Sequence, residues 1–200
     1  MRKNLSRKAE MGMGTLIIFI ALILVAAIAA AVLISTTSSL QNQALSTGAA
    51  TTQEVGTSLN VVEIIGEDGS QNNSIDGLGS LIRLASGSDA IRFEDTLISL
   101  SLDNVSQDYR YNDSLDCIQG ELENLDATHG FGIQYAIEGV SHREGYLVSG
   151  DVAEICMGTP RSIAEGESFR LGIIPRVGTS ANVETSLPTL LLNQRSKIFP

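Results

Sequence analysis

Apolar and polar positions divide the chain into three textures. Leu16–Ile34 is a run of nineteen residues without one polar or charged side chain. At about 1.5 Å per residue, a helix of that length crosses a bilayer core of roughly 30 Å. It exceeds the apolar core of an ordinary secretory signal, which reaches about 15 residues. Ser35–Leu59 follows, free of proline and rich in Ser and Thr. Within it Leu40, Ala44, Gly48, Thr51, Val55 and Leu59 recur at spacings of three and four, one face of a continuing helix. A flexible Ser/Thr-rich stalk is the alternative for this stretch. A helix from Met13 to about Leu59 would be roughly 70 Å long, too long for one small domain to cover, so it calls for partners.

From Val61 the period shortens to two. "NVVEII" gives way to "GEDGSQNNSIDGLGS", read as a loop from its Gly, Asn and Asp, and "LIRLA" runs to the turn "SGSD". Ile98, Leu100 and Leu102 alternate with serines. Phe131, Ile133, Tyr135 and Ile137 form a second alternating set, Phe169, Leu171 and Ile173 a third, and Val183, Thr185 and Leu187 a fourth. Seven or eight short strands are predicted, the pattern of a sandwich or barrel. Asn104–Thr128 has no such pattern and reads as a long connection. The expected fold class is α+β, a long N-terminal hydrophobic α-helix followed by an antiparallel, Ig-like β-sandwich. About 135 residues suffice for the sandwich core.

Charge gives the chain a direction. Arg2, Lys3, Arg7 and Lys8 precede the apolar run with no acid among them, and from Glu10 onward nine basic residues face twenty-three acidic ones. A basic flank stays in the cytoplasm, which sends the acidic remainder outward. No basic patch remains to hold nucleic acid, so that partner is excluded.

Candidate chemistry is sparse. Cys117 and Cys156 are the two cysteines, and neither belongs to a CxxC pair, which argues against a thiol redox or zinc site. They form either one disulfide of an exported domain or two buried thiols packed as small hydrophobes. His129 and His142 read as solvated loop residues without metal-pair spacing. There is no GxSxG nucleophile elbow, and no acid, base or metal set converges, so an enzyme is not expected. No cofactor is expected either. Structural Ca²⁺ comes into question only at "GEDGSQNNSIDG", which departs from EF-hand order, and at Asp103, Asp108, Asp113 and Asp116, ordinarily a solvated acidic surface. Asn72, Asn104 and Asn112 each begin an N-x-S triplet in polar, turn-like surroundings and are candidate N-glycosylation sites of an exported domain. Asn4 also begins one, but lies on the basic side.

The junction between basic flank and apolar run carries the most specific pattern. "RKAEMGMGTLIIFIALILVAAIAAAVLI" resembles the N-terminus of archaellins, the filament subunits of the archaeal flagellum, which carry class III signal peptides of the type IV pilin-like kind. "VVEIIGEDGSQNNSIDGLGSLIRLASGSDAIRFEDTLISLS", with Gly87-Ser88-Asp89, and "GESFRLGIIPRVGTSANVETSLP" resemble later archaellin segments. The likeness is weak over about Asn104–Leu147. By this resemblance residues 1–9 are a leader ending in Lys8 and Ala9. Glu10 is the mature start and Gly12 the third mature residue. Residues 10–60 form the long helix, spanning the membrane before assembly and lying in the filament core afterwards, and 61–200 form the outer β-domain. Leu16, Phe19, Ile23, Ala27, Ala30 and Ile34 are core positions. Gly14 occupies the fifth mature position, where bacterial pilins place glutamate. Ala9 replaces the family's more usual glycine, and Glu10 is an unusual charged start.

The implied function is a structural subunit of the archaellum that polymerises and transmits torque for swimming motility. The implied partners are other archaellin subunits, a prepilin-type signal peptidase, the archaellum export and motor machinery, and the membrane before assembly. The mature chain would be extracellular filament and the precursor would sit in the cytoplasmic membrane. The alternatives are an adhesion pilin, or an uncut single-pass protein with an extracellular β-domain.

Overall fold

A computed structural model describes residues 3–69, 73–115, 117, 129–189 and 193–200, with helix side chains from Gly12 onward. The chain divides into two compact units, Met1–Ala50 and Thr51–Pro200. The first is helical throughout its described length. Helix α1, Lys3–Gly56, has 54 residues and so measures about 80 Å. The helical face read through Leu59 stops at Gly56. Leu59 is buried in the first strand, where its side chain meets the β-core.

The second unit contains eleven described strands: β1 (Leu59–Glu67), β2 (Ser74–Leu84), β3 (Ile91–Arg92), β4 (Thr96–Leu102), β5 (Ser106–Tyr111), β6 (Gly130–Ile137), β7 (Tyr146–Leu147), β8 (Val152–Ala164), β9 (Ser168–Pro175), β10 (Ala181–Ser186) and β11 (Arg195–Phe199). Nine form one sheet in the order β10-β9-β4-β5-β6-β8-β2-β1-β11, while β3 and β7 pair separately. Every pairing in the large sheet is antiparallel except β5 with β6. That parallel step consists of Arg110 opposite Gly130 and Tyr111 opposite Phe131. Parallel neighbours need a crossover of about a dozen residues, and the long stretch between Tyr111 and Gly130 supplies it.

The short step divides the sheet into two halves with a single core between them. Ile64, Ile75, Leu78 and Ile155 from one half cluster with Ile98, Leu100, Leu171 and Ile173 from the other. Where strands are half-buried, the period-two pattern is obeyed. Strand β4 alternates buried and half-buried residues along its length, and Phe169, Leu171 and Ile173 of β9 are buried.

Two predicted loops are partly strand. Residues 74–80, read as loop from their glycines, open β2, and Gly77, Leu78, Gly79 and Ser80 are all buried. Both faces of the sheet are covered here, so alternation disappears. The glycines leave room for what lies above them. A Cβ on Gly79 would sit 2.8 Å from the Glu154 carboxylate, and one on Gly66 would sit 2.7 Å from Ile198. Glu154 in turn reaches Arg195 of β11 at 2.6 Å, so the C-terminal strand is tied over the glycine-rich surface.

Asn104–Thr128, read as connection, contains β5. Its sequence "SQDYRY" has no alternating aliphatics, but Tyr109 is fully buried and its hydroxyl donates to the Gly158 carbonyl of β8 at 2.7 Å. One aromatic with a satisfied polar tip replaces the usual run of aliphatics. The 3-10 turn Phe93–Asp95 inserts Phe93 beside Tyr111 and Tyr135, at ring-centroid distances of 6.2 and 6.4 Å. In β6, Phe131 is buried while Ile137 is 58% exposed, because β6 leaves the covered part of the sheet at that end.

His142 is not a solvated loop histidine. Its Nδ1 lies 3.2 Å from Asp151 Oδ2, and its ring meets Tyr135 edge-on at 4.3 Å. Asp151, only 1% exposed, also accepts the Gly139 N–H at 2.7 Å. A buried carboxylate thus fixes the loop between β6 and β8, meeting its own need for donors.

Cys117 and Cys156, 39 positions apart in sequence, form a disulfide with Cα atoms 5.7 Å apart. It fastens the β5–β6 crossover to β8. Gly132 pairs with Cys156, and a Cβ there would run into the Leu115 carbonyl. Reduction should lower the unfolding free energy by about 4 kcal/mol, the loop-closure value for this length, and shift the denaturant midpoint accordingly. Gly132→Ala should cost about 1–3 kcal/mol in the same measurement, because the crossover backbone must move.

The β8–β9 turn has its own acid sensitivity. Glu167 pairs with Arg161 and accepts the Ala164 N–H at 3.2 Å. The Arg161 hydrogen bond leads in holding the Glu167 carboxyl below its ordinary value of 4.5. A depressed folded value stabilises above the unfolded one and is lost as pH falls through the folded one. Arg161→Gln should therefore lower the thermal midpoint at neutral pH, and its difference from the unmodified protein should shrink as pH falls below 4.5.

Candidate assembly helix and processing junction

The described side chains of α1, Gly12 through Gly56, are all exposed. Leu16, Phe19, Ile23 and Ile34 are 61%, 63%, 52% and 72% exposed. Soluble domains do not leave an apolar surface of this extent uncovered. Residues from Gly12 to Gly56 belong to a helix long and apolar enough to cross a membrane. Ala26, Ala27, Ala29, Ala30 and Ala31 put small side chains on its second half, where another backbone can approach closely.

Three hydroxyls along the helix turn back to its own backbone. Thr15 donates to the Gly12 carbonyl at 2.9 Å, Thr36 to Leu33 at 3.0 Å and Ser46 to Gln43 at 3.0 Å. These hydroxyls therefore present no unsatisfied donor to lipid or to an apolar neighbour.

The junction residues Lys8, Ala9 and Glu10 lie in the backbone of α1. Gly12 and Gly14 follow within it, with open space around the Cβ position of each. Two glycines so close together lower local helix stability by about 1 kcal/mol each relative to alanine.

The remaining candidates scatter over the β-domain. Asn104 is exposed in the turn between β4 and β5. Asn112 is half-buried, its N–H donating to the Phe131 carbonyl at 3.0 Å and its Oδ1 accepting the Ser114 N–H at 3.1 Å. Asn72 and Asp116 lie outside the described residues. Asp103, Asp108 and Asp113 are exposed, and Asp113 accepts the Tyr111 hydroxyl at 3.0 Å. Among the described residues no group of three or more His, Cys, Asp or Glu is placed to hold a metal ion. Sequence reasoning missed Asp151, whose role as a loop anchor has no signal in a polar stretch.

A profile of archaeal-type flagellin matches residues 9–185, from the junction into β10. Flagellin B2 of Methanocaldococcus jannaschii is 31% identical over 212 residues, covering 96% of this chain and 94% of that protein. Flagellin B1 of Thermoplasma volcanium is 44% identical over 108 residues, and the match spans 52% of this chain but only 44% of that relative. The archaeal flagellum of Methanospirillum hungatei superposes with a TM-score of 0.68 at 14% identity, over 94% of this chain and 99% of that one. A crystal structure of an archaeal flagellin from Methanocaldococcus jannaschii gives 0.63 at 16% identity, over 72% and 97%. These two likenesses concern the fold, whereas the profile spans most of the sequence, junction included. This chain belongs to the archaeal-type flagellin family.

Proposed function

We infer that the chain is a structural subunit of the archaellum, polymerising through α1 and carrying torque along the filament. The observation that carries this reading is an apolar helix with no cover of its own, in a chain of the archaeal-type flagellin family. A helix of this kind has two stable environments. In lipid its backbone groups are satisfied internally. In a bundle of identical helices its small residues permit close packing. Transfer from the first to the second is polymerisation. Heterologous contacts that do not close give an open helical array.

The leader controls that transfer. Arg2, Lys3, Arg7 and Lys8 hold the N-terminus on the cytoplasmic side. Cleavage after Ala9 by a prepilin-type peptidase removes all four charges and the resistance to extraction. The bond to be cut lies in α1, so the peptidase must unwind the first turns, and Gly12 and Gly14 make that easier. The β-domain then coats the outside, with Asn104 at an exposed turn open to glycosylation. Export and motor proteins of the archaellum insert and rotate the polymer. The subunit itself performs no chemistry.

N-terminal analysis of sheared surface filaments should find a mature start at Glu10. Intact Met1 recovered only in membranes would sink this reading. Gly12→Leu should leave the precursor unprocessed on an immunoblot, and normal processing of that variant would show that the junction lies elsewhere.

A further inference from the structure

A cleft of about 530 Å³ lies between β3, β7 and the end of β5. Tyr111 and Tyr146 line it together with the carboxylates of Glu94, Asp113 and Glu144. Arg92 also lines it, but is already paired with Glu94 and Asp95. Glu144 makes no hydrogen bond or ion pair among the described residues, and Asp113 accepts the Tyr111 hydroxyl. Burial first, then the hydrogen bond to Asp113 and its charge, and after them Tyr135 and Glu144, push the Tyr111 phenol up to about 12.

The described residues also include cations that pair with no described acid. Nine basic residues follow the junction. Arg92, Arg161, Arg170, Arg176, Arg195 and Lys197 are in ion pairs. Arg143 stacks over the Tyr146 ring at 3.6 Å from its centroid. Arg83 and Arg110 are exposed and, among the described residues, have no acid or ring partner.

We propose that the Tyr111–Tyr146 cleft receives Arg83 of a second copy of this chain. A guanidinium satisfies both parts of the site, stacking on a phenol ring and donating to a carboxylate. Arg83 is favoured over Arg110 by topology. Arg110 lies on β5 next to Tyr111, within the cleft's own neighbourhood. Arg83 lies on β2, in the other half-sheet. A donor and an acceptor on distinct surfaces make a heterologous contact, which propagates along a polymer instead of closing a pair. The contact also brings a cation between subunits that otherwise repel through their acidic surfaces. The proposal rests on the polymerisation reading above.

The test uses cells expressing the full-length chain, with sheared filaments collected at low salt. Glu144→Arg and Arg83→Glu should each reduce filament yield by about tenfold. The double variant Arg83→Glu/Glu144→Arg should recover it, which a misfolded single variant would not do. In a second arm, Arg83→Cys/Glu144→Cys should give an oxidised ladder of linked subunits that neither single cysteine gives. Unchanged yield in both single charge variants overturns the contact, as does failure of the double variant to recover or absence of the ladder. Recovery of Glu144→Arg by Arg110→Glu in place of Arg83→Glu overturns the choice of donor. The absence of the unmodified chain from filaments defeats the polymerisation reading itself, and so is distinct from these outcomes.

Discussion

Nineteen consecutive apolar residues on a helix with no cover of its own set the constraint on which the rest of this protein depends. At about 1.5–3 kcal/mol for each large aliphatic or aromatic side chain, leaving this surface in water costs on the order of 20 kcal/mol. A folded domain of ordinary size has only about 5–15 kcal/mol of net stability. The chain therefore cannot persist as an isolated soluble monomer with this helix exposed. Burial in lipid or against other helices removes that cost.

The β-domain meets a different constraint, since it must build a core from its own side chains. It does so with few large side chains, for only 4% of the sequence is aromatic. Phe93, Tyr111, Phe131 and Tyr135 are gathered where the two half-sheets join. The parallel step is only two residue pairs long. Tyr109 across the core, the Cys117–Cys156 bond and the Asp151-centred loop reinforce the region around it. At the opposite side Thr179 donates to the Thr57 carbonyl at 2.8 Å, tying the segment before β10 to the start of β1.

The two constraints meet in the charge distribution. Acidic residues keep the β-domain soluble after export, but a polymer concentrates them and makes neighbours repel. Most of the basic residues are used inside the subunit, pairing strands or turns such as Arg170 with Glu184 and Arg195 with Glu154. Among the described residues, Arg83 and Arg110 are exposed without an acid partner, and the same domain carries an acidic aromatic cleft.

The sequence alone determined the architecture wherever a one-dimensional pattern carries the physics. An apolar run of bilayer length, a basic flank and strict alternation in β4 depend on local composition and period, so the order of residues suffices to reveal them. The family match runs from residue 9 to residue 185. The tertiary structure alone decided the rest. Residues 74–80 are strand although their glycines in isolation signal a turn, and Gly79 lies under the Glu154 carboxylate. Strand β5 exists because Tyr109 reaches across the core to a carbonyl 49 residues away in sequence number. His142 is held by a buried aspartate, and the two cysteines meet across a crossover. Each of these depends on a partner distant in the chain, and the type and period of neighbouring residues do not record which distant groups folding brings together.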